Sequence, residues 1–184
     1  TSNYYAASSP YLEGHARKIG IVPPGVDPER YRPVPKALLK QRYGLDIQKI
    51  LLFVGQLNRE SQHKGLDYLI RALKLVRRDE DARLIVVGTG NYRDHYEKLA
   101  AREGLEGDVI FAGFVTNEEI PQYFSGSDLM VLPSYDRAEG FGMVLIEAQA
   151  CGIPVIGTNV GGIPFAVEDG KTGLIVPPRD AESL

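Results

Sequence analysis

Apolar runs bounded by turn residues recur along the chain: KIGIV (Lys18 to Val22), KILLFVG, RLIVVG, DVIFAG, DLMVLP, PVIGT and GLIVPP. Each is short and apolar at consecutive rather than alternate positions, the pattern of a strand buried on both faces. Helical spacing fills the intervals. In KGLDYLIRALKLVRR, Leu66, Leu69, Ile70, Leu73 and Val76 fall on one face, while Arg71, Lys74, Arg77 and Arg78 fall largely off it and form a solvated side. Shorter helices are expected in NYRDHYEKLAARE, in TNEEIPQYF with Thr116 or Asn117 as cap, and in GMVLIEAQA. Strand and helix alternating in this way predict an α/β fold, a Rossmann-like doubly wound parallel sheet. The chain contains no internal repeat and no low-complexity tract.

Ligands of such sheets bind beyond the carboxyl ends of the strands. The loops there are rich in glycine: VGQLNRESQHKG, VGTGN, AGFVTN, PSYDRAEGFG and GTNVGGIP. Any one of them reads equally well as an ordinary turn, and it is their coincidence on one edge that suggests a site. The richest is EGFGMVLIEAQA, where Glu139 precedes a Gly-Phe-Gly turn and Glu147 lies two helical turns into the segment Met143 to Ala150. The unpaired N–H groups at that helix start favour an anion, so this is a candidate phosphate site. The same spacing also describes a capped helix with acids placed for solubility. Two better-known phosphate motifs are excluded. GTGNYR has Arg93 where a dinucleotide fingerprint needs its third glycine, and DGKTG precedes a strand and has Phe165 where a P-loop needs glycine.

Bulk composition narrows the partners. A chain of 184 residues with 43% hydrophobic content and a formal charge of -3 is a folded domain, not a disordered segment. The lack of a basic block argues against nucleic-acid or polybasic membrane contact and leaves room only for a small anion. Cys151 is the sole cysteine, expected to be a small buried residue in a reducing, cytoplasmic setting. His15, His63 and His95 are scattered, no Asp-x-Asp or other metal-ligand spacing is present, and no apolar run reaches the roughly 20 residues a membrane span needs. The chain opens at Thr1 without methionine and closes on PPRDAESL, where Asp180 begins to cap a helix, as a piece of a longer protein would.

Taken in order, IVPPGVDPERYRP, ILLFVGQLNRESQHKGLDYLIRAL, RLIVVGTG, VIFAGFV, SDLMVLPSYDRAEGFGMVLIEAQACGIPVIGTNVGGIP and DGKTGLIVPP resemble the C-terminal domain of retaining GT-B glycosyltransferases of the family 4, or group 1, type. The similarity covers nearly the whole chain, and the E-x7-E pair Glu139 and Glu147 is its most specific part. The resemblance implies that Thr1 to about Lys18 is the connector from a missing N-terminal domain and that residues 19–184 bind a nucleotide-diphosphate sugar of the UDP, GDP or ADP type. It implies that Lys64 contacts the donor diphosphate and Glu139 the sugar hydroxyls, these two being the catalytic pair, and that Glu147 takes the ribose hydroxyls. Gly140, Phe141, Gly142, Met143 and Val144 would form the phosphate cradle, Phe114 and Val115 the base contact, and Gly55, Gln56, Gly88 and Gly90 the facing loops. Neither a metal nor an organic cofactor is implied, and the chain is expected at most to approach a membrane surface through the missing domain. Three positions depart from the pattern. Gln56 stands where an arginine is usual, so Arg59 is the candidate substitute, Phe165 replaces an acid, and Pro24 replaces an asparagine. A non-catalytic sugar-nucleotide module, or an epimerase or phosphorylase on the same architecture, remains an alternative.

Overall fold

The computed structural model describes residues 9–12 and 15–184. Six parallel strands, β1 (Lys49–Val54), β2 (Ala82–Val87), β3 (Val109–Gly113), β4 (Leu129–Leu132), β5 (Val155–Thr158) and β6 (Gly173–Val176), pair in the order β3-β2-β1-β4-β5-β6. The chain winds outward in both directions from the centre, where β1 meets β4 through Leu51 opposite Leu129 and Leu52 opposite Met130. This reversal opens a crevice beyond the carboxyl ends of β1 and β4, the place where a doubly wound sheet binds its ligand.

Successive residues of a strand point to opposite faces, and here both faces are covered. Ile50, Leu52, Ile85, Val87, Met130 and Leu132 face one core. It is closed by α1 (Ala37–Tyr43), α4 (Ile120–Gly126), α5 (Met143–Ala150) and the single turn α6 (Ile163–Ala166). Phe53, Leu84, Val86, Val131 and Ile156 face the other, closed by α2 (Leu66–Val76) and α3 (Arg93–Arg102) through Leu66, Leu69, Ile70, Leu73, Tyr96 and Leu99. Burial on both sides is why the strands read as unbroken apolar runs.

Three details differ from the sequence reading. Lys18 to Val22 forms no strand: a 3-10 turn covers Ala16–Lys18 and the next residues pair with nothing in the sheet. The segment runs straight into Pro23 and Pro24, which have no N–H to give to a ladder, and Val22 is left 79% exposed. The helix expected across Thr116 to Phe124 starts later, at Ile120, with Pro121 in its first turn, and Thr116 instead caps the preceding turn by accepting from the Glu119 amide at 3.3 Å. Helix α1 has no counterpart in the sequence reading because Leu39 is its one buried residue, too little to print a period. It ends at Gly44 in the left-handed region and seats Leu39 where Gly126 leaves no side chain in the way. The connector expected over Thr1 to Lys18 lies largely outside the described residues.

Candidate functional site

The site is built by two loops that meet across the central crevice. After β1, a 3-10 helix (Arg59–Lys64) turns into α2 at Gly65, whose φ is 74°. A Cβ at Gly65 would collide with the Pro133 carbonyl, so only glycine lets the start of α2 lie against the loop that follows β4. Lys64 is carried there with it. Its stem runs over Gly55, where a Cβ would stand 2.9 Å from the lysine Cδ.

From the other side, the loop after β4 presents Glu139. The Lys64 ammonium donates to Glu139 Oε2 at 2.8 Å, the Ser134 hydroxyl donates to the same oxygen at 3.3 Å, and the Gly142 amide donates to Oε1 at 3.2 Å. Only 9% of Glu139 is exposed. A charge so little hydrated is tolerable because an opposite charge and two further donors surround it. The loop is held from beneath by Gly161 and Gly162. The Gly162 amide donates to the Glu139 carbonyl at 3.1 Å, and side chains on these two glycines would strike the Glu139 and Gly140 carbonyls. Gly142, in the left-handed region, then opens α5.

Two cavities flank this ion pair. A larger one of about 610 Å³ is lined by Lys64, Glu139, Gly140, Phe141, Gly142, Met143 and Val144, with Val22, Pro23 and Pro24 opposite. A second of about 440 Å³ is lined by Tyr31, Gly55, Gln56, Gly88, Phe114, Val115 and Glu147, among others. The lysine stem therefore lies between them, over Gly55 of one cavity with its head group in the other. In the smaller cavity, burial pushes the Glu147 carboxyl above its usual range, while the Tyr31 hydroxyl and Arg30 pull it back. Burial first, and Glu147 second, raise the Tyr31 phenol.

The expected residues thus separate into two groups, the phosphate turn with Lys64 and Glu139 in one cavity, and the loop residues Gly55, Gln56, Gly88, Phe114 and Val115 with Glu147 in the other. Phe114 is 77% exposed, as an open aromatic platform is. Gly90 lines neither cavity. A Cβ there would strike the Leu57 backbone, so its glycine serves close packing of two loops. Arg59 is exposed at the start of the 3-10 helix and lines neither cavity, although its amide donates to Asn91 Oδ1 at 3.0 Å. The Gly142 amide, expected to face an anion, is taken by Glu139. Sequence reasoning passed over Ser134, Thr158 and Tyr31. Ser134 carried one signal, its place at the end of an apolar strand in the same loop as Glu139, whereas Tyr31 sits in a proline-rich stretch with no period. Among the described residues no cluster of His, Cys, Asp and Glu suits a metal ion, and no helix is long and apolar enough to cross a membrane.

A family model described as glycosyl transferases group 1 matches residues 36–184. The chain belongs to the group 1 glycosyl transferases. It is 37% identical over 179 residues to the GDP-mannose-dependent alpha-(1-6)-phosphatidylinositol monomannoside mannosyltransferase of Mycolicibacterium smegmatis, covering 93% of this chain and 46% of that protein. It is 40% identical over 174 residues to the D-inositol 3-phosphate glycosyltransferase of Rhodococcus jostii, covering 90% of this chain and 37% of that protein. Among solved structures it is similar to Anabaena HepE in complex with UDP and glucose, with a TM-score of 0.82 at 29% identity over 94% of this chain and 47% of that one. It also matches the C-terminal domain of a glycosyl transferase group 1 family protein from Francisella tularensis, with a TM-score of 0.72 at 26% identity over 86% and 83% of the two chains. This group 1 glycosyl transferase chain spans about half the length, or less, of the curated relatives named here. Its doubly wound sheet is the C-terminal half of a GT-B fold.

Proposed function

We propose that this domain binds the nucleotide-diphosphate sugar donor of a retaining glycosyltransferase, and that a further domain of the full protein supplies the acceptor. The observation that carries this reading is the position of Lys64 between two cavities that each hold one acid of the E-x7-E pair. A nucleotide sugar has polyols on both sides of a diphosphate, and the two cavities offer a carboxylate to each polyol with a cation between. Glu147 takes the ribose, Phe114 and Val115 face the base, and Glu139 takes the sugar. The printed names of relatives include both GDP-mannose and UDP, so the nucleobase is left to measurement.

Transfer with retention passes through an oxocarbenium-like state while the nucleotide diphosphate leaves with growing negative charge. Lys64 and the start of α5 are aimed where that charge develops, and one such preorganised donor is typically worth about 3 kcal/mol. No protein nucleophile and no metal enter this reading, and buried Cys151 suits a cytoplasmic setting. Calorimetric titration of UDP, GDP and ADP, their sugars and the bare nucleosides tests it. Lys64→Ala is expected to weaken diphosphate binding by about 1.5–3 kcal/mol, the range of a charge-assisted hydrogen bond, and to leave nucleoside binding nearly as it was. Equal losses for both ligands would move Lys64 away from the diphosphate.

A further inference from the structure

The Glu139 carboxylate has about four acceptor positions. Three are occupied: two on Oε2, by Lys64 and Ser134, and one on Oε1, by the Gly142 amide. Ser134 and Thr158 are both fully buried, and the Thr158 hydroxyl donates to the Ser134 carbonyl. A line of polar groups therefore runs from the end of β5, through the end of β4, to the wall of the larger cavity. Buried hydroxyls are costly unless each is bonded, so both are committed to this arrangement.

Lys64 is only partly committed. Its ammonium has three N–H donors and gives one to Glu139, so it can bridge the carboxylate and an arriving diphosphate. Its hold on Glu139 then weakens while phosphate charge arrives nearby. Two donors remain on Glu139, and one of them, the Ser134 hydroxyl, is anchored through its own carbonyl to Thr158. We propose that Ser134, seated by Thr158, is a positioning residue for Glu139: its hydroxyl holds the carboxylate on the cavity wall when Lys64 shares its charge with an anionic ligand. The open acceptor position on Oε1 is then kept in place for a hydroxyl of the sugar.

This inference rests on the donor-binding reading above, and the two fail differently. GDP is titrated against GDP-mannose, UDP against UDP-glucose and ADP against ADP-glucose, into the 184-residue chain and its Ser134→Ala and Thr158→Val variants, with thermal melting of each as a check on folding. Affinity for the sugar nucleotide is expected to fall about tenfold or more in Ser134→Ala, which loses a hydrogen bond to a charged group, and about three- to tenfold in Thr158→Val, which loses a neutral one, against less than about twofold for the nucleoside diphosphate in both. Thr158→Val keeps the shape of the buried side chain and carries the test if Ser134→Ala does not fold. Equal losses for the two ligands, or none, overturn the positioning role even where Lys64→Ala still weakens the diphosphate. If none of the three ligand pairs binds the unaltered chain, the donor-binding reading falls and this inference with it.

Discussion

Glu147 is the residue whose setting separates a ligand contact from a solvated helix acid most sharply. It lies on α5 between Ile146 and Ala148, with Leu145 fully buried, and burial has already lifted its carboxyl above the ordinary value of 4.5. An acid whose folded pKa is raised holds its proton more tightly in the folded state. Its stabilising share is complete below the unfolded pKa and is lost as pH rises through the folded one. At neutral pH the ligand-free domain therefore carries a charge that Tyr31 and Arg30 compensate only in part. Glu147→Gln is expected to raise the melting temperature of the ligand-free domain at pH 7, with the difference shrinking as pH falls toward 4.5. In the presence of ligand the sign reverses. A carboxylate that takes two hydrogen bonds from a ribose diol loses them, so ribonucleotide affinity should drop by about 1–3 kcal/mol, and a 2′-deoxy analogue, already short of one donor, should lose less. Calorimetry of both ligands on both proteins gives the coupling energy directly, and a value of zero would remove Glu147 from the ribose site.

At the scale of elements, the strands were legible because hydrophobicity runs on without alternation, as burial on both faces imposes on the central strands, and edge strand β6 keeps the pattern although its Leu174 is 53% exposed. The false seventh, Lys18 to Val22, had the same composition but runs into Pro23 and Pro24 and joins no strand, and composition does not report pairing. The acids of the site were legible as a motif, whereas the meeting of Lys64 with Glu139, 75 residues apart, was not. It depends on two loops approaching at backbone distance, through Gly65 against Pro133 and through Gly161 and Gly162 against Glu139 and Gly140. Sequence shows that glycines are present there, not what they touch. The contact beneath the Glu139 turn makes a testable claim. Gly162→Ala pushes a methyl into the Gly140 carbonyl and should cost about 1–3 kcal/mol of stability in a denaturant melt, the range for overpacking a closed contact. Because the backbone that moves is the one that presents Glu139 and opens α5, nucleotide binding should weaken alongside. A variant of full affinity and full stability would show that the turn is supported elsewhere.

For the molecule as a whole, the sheet sets the limit on what the chain can do by itself. The candidate groups that line the two cavities all sit at one edge of one doubly wound sheet, and the remaining lining of the larger cavity is Val22, Pro23 and Pro24. Nothing among the described residues offers a second carboxylate or histidine across that opening to receive a proton from an acceptor hydroxyl. On the proposed reading the chain should bind a nucleotide sugar, and do so in EDTA as well as in magnesium, because that reading gives Lys64 and the α5 start the role of the positive charge a metal would otherwise bring. Transfer is another matter, because it needs an acceptor held within reach of the sugar carbon, and proximity of that kind accounts for several kcal/mol of a barrier. The purified chain is therefore expected to give no sugar transfer above hydrolysis in a product assay at saturating donor, and to gain transfer when joined to the remainder of a full-length group 1 enzyme. Robust transfer by the chain alone would mean that the acceptor site is already contained in these 184 residues, and a strict need for magnesium or manganese would mean that the charge on the leaving diphosphate is met by something other than Lys64.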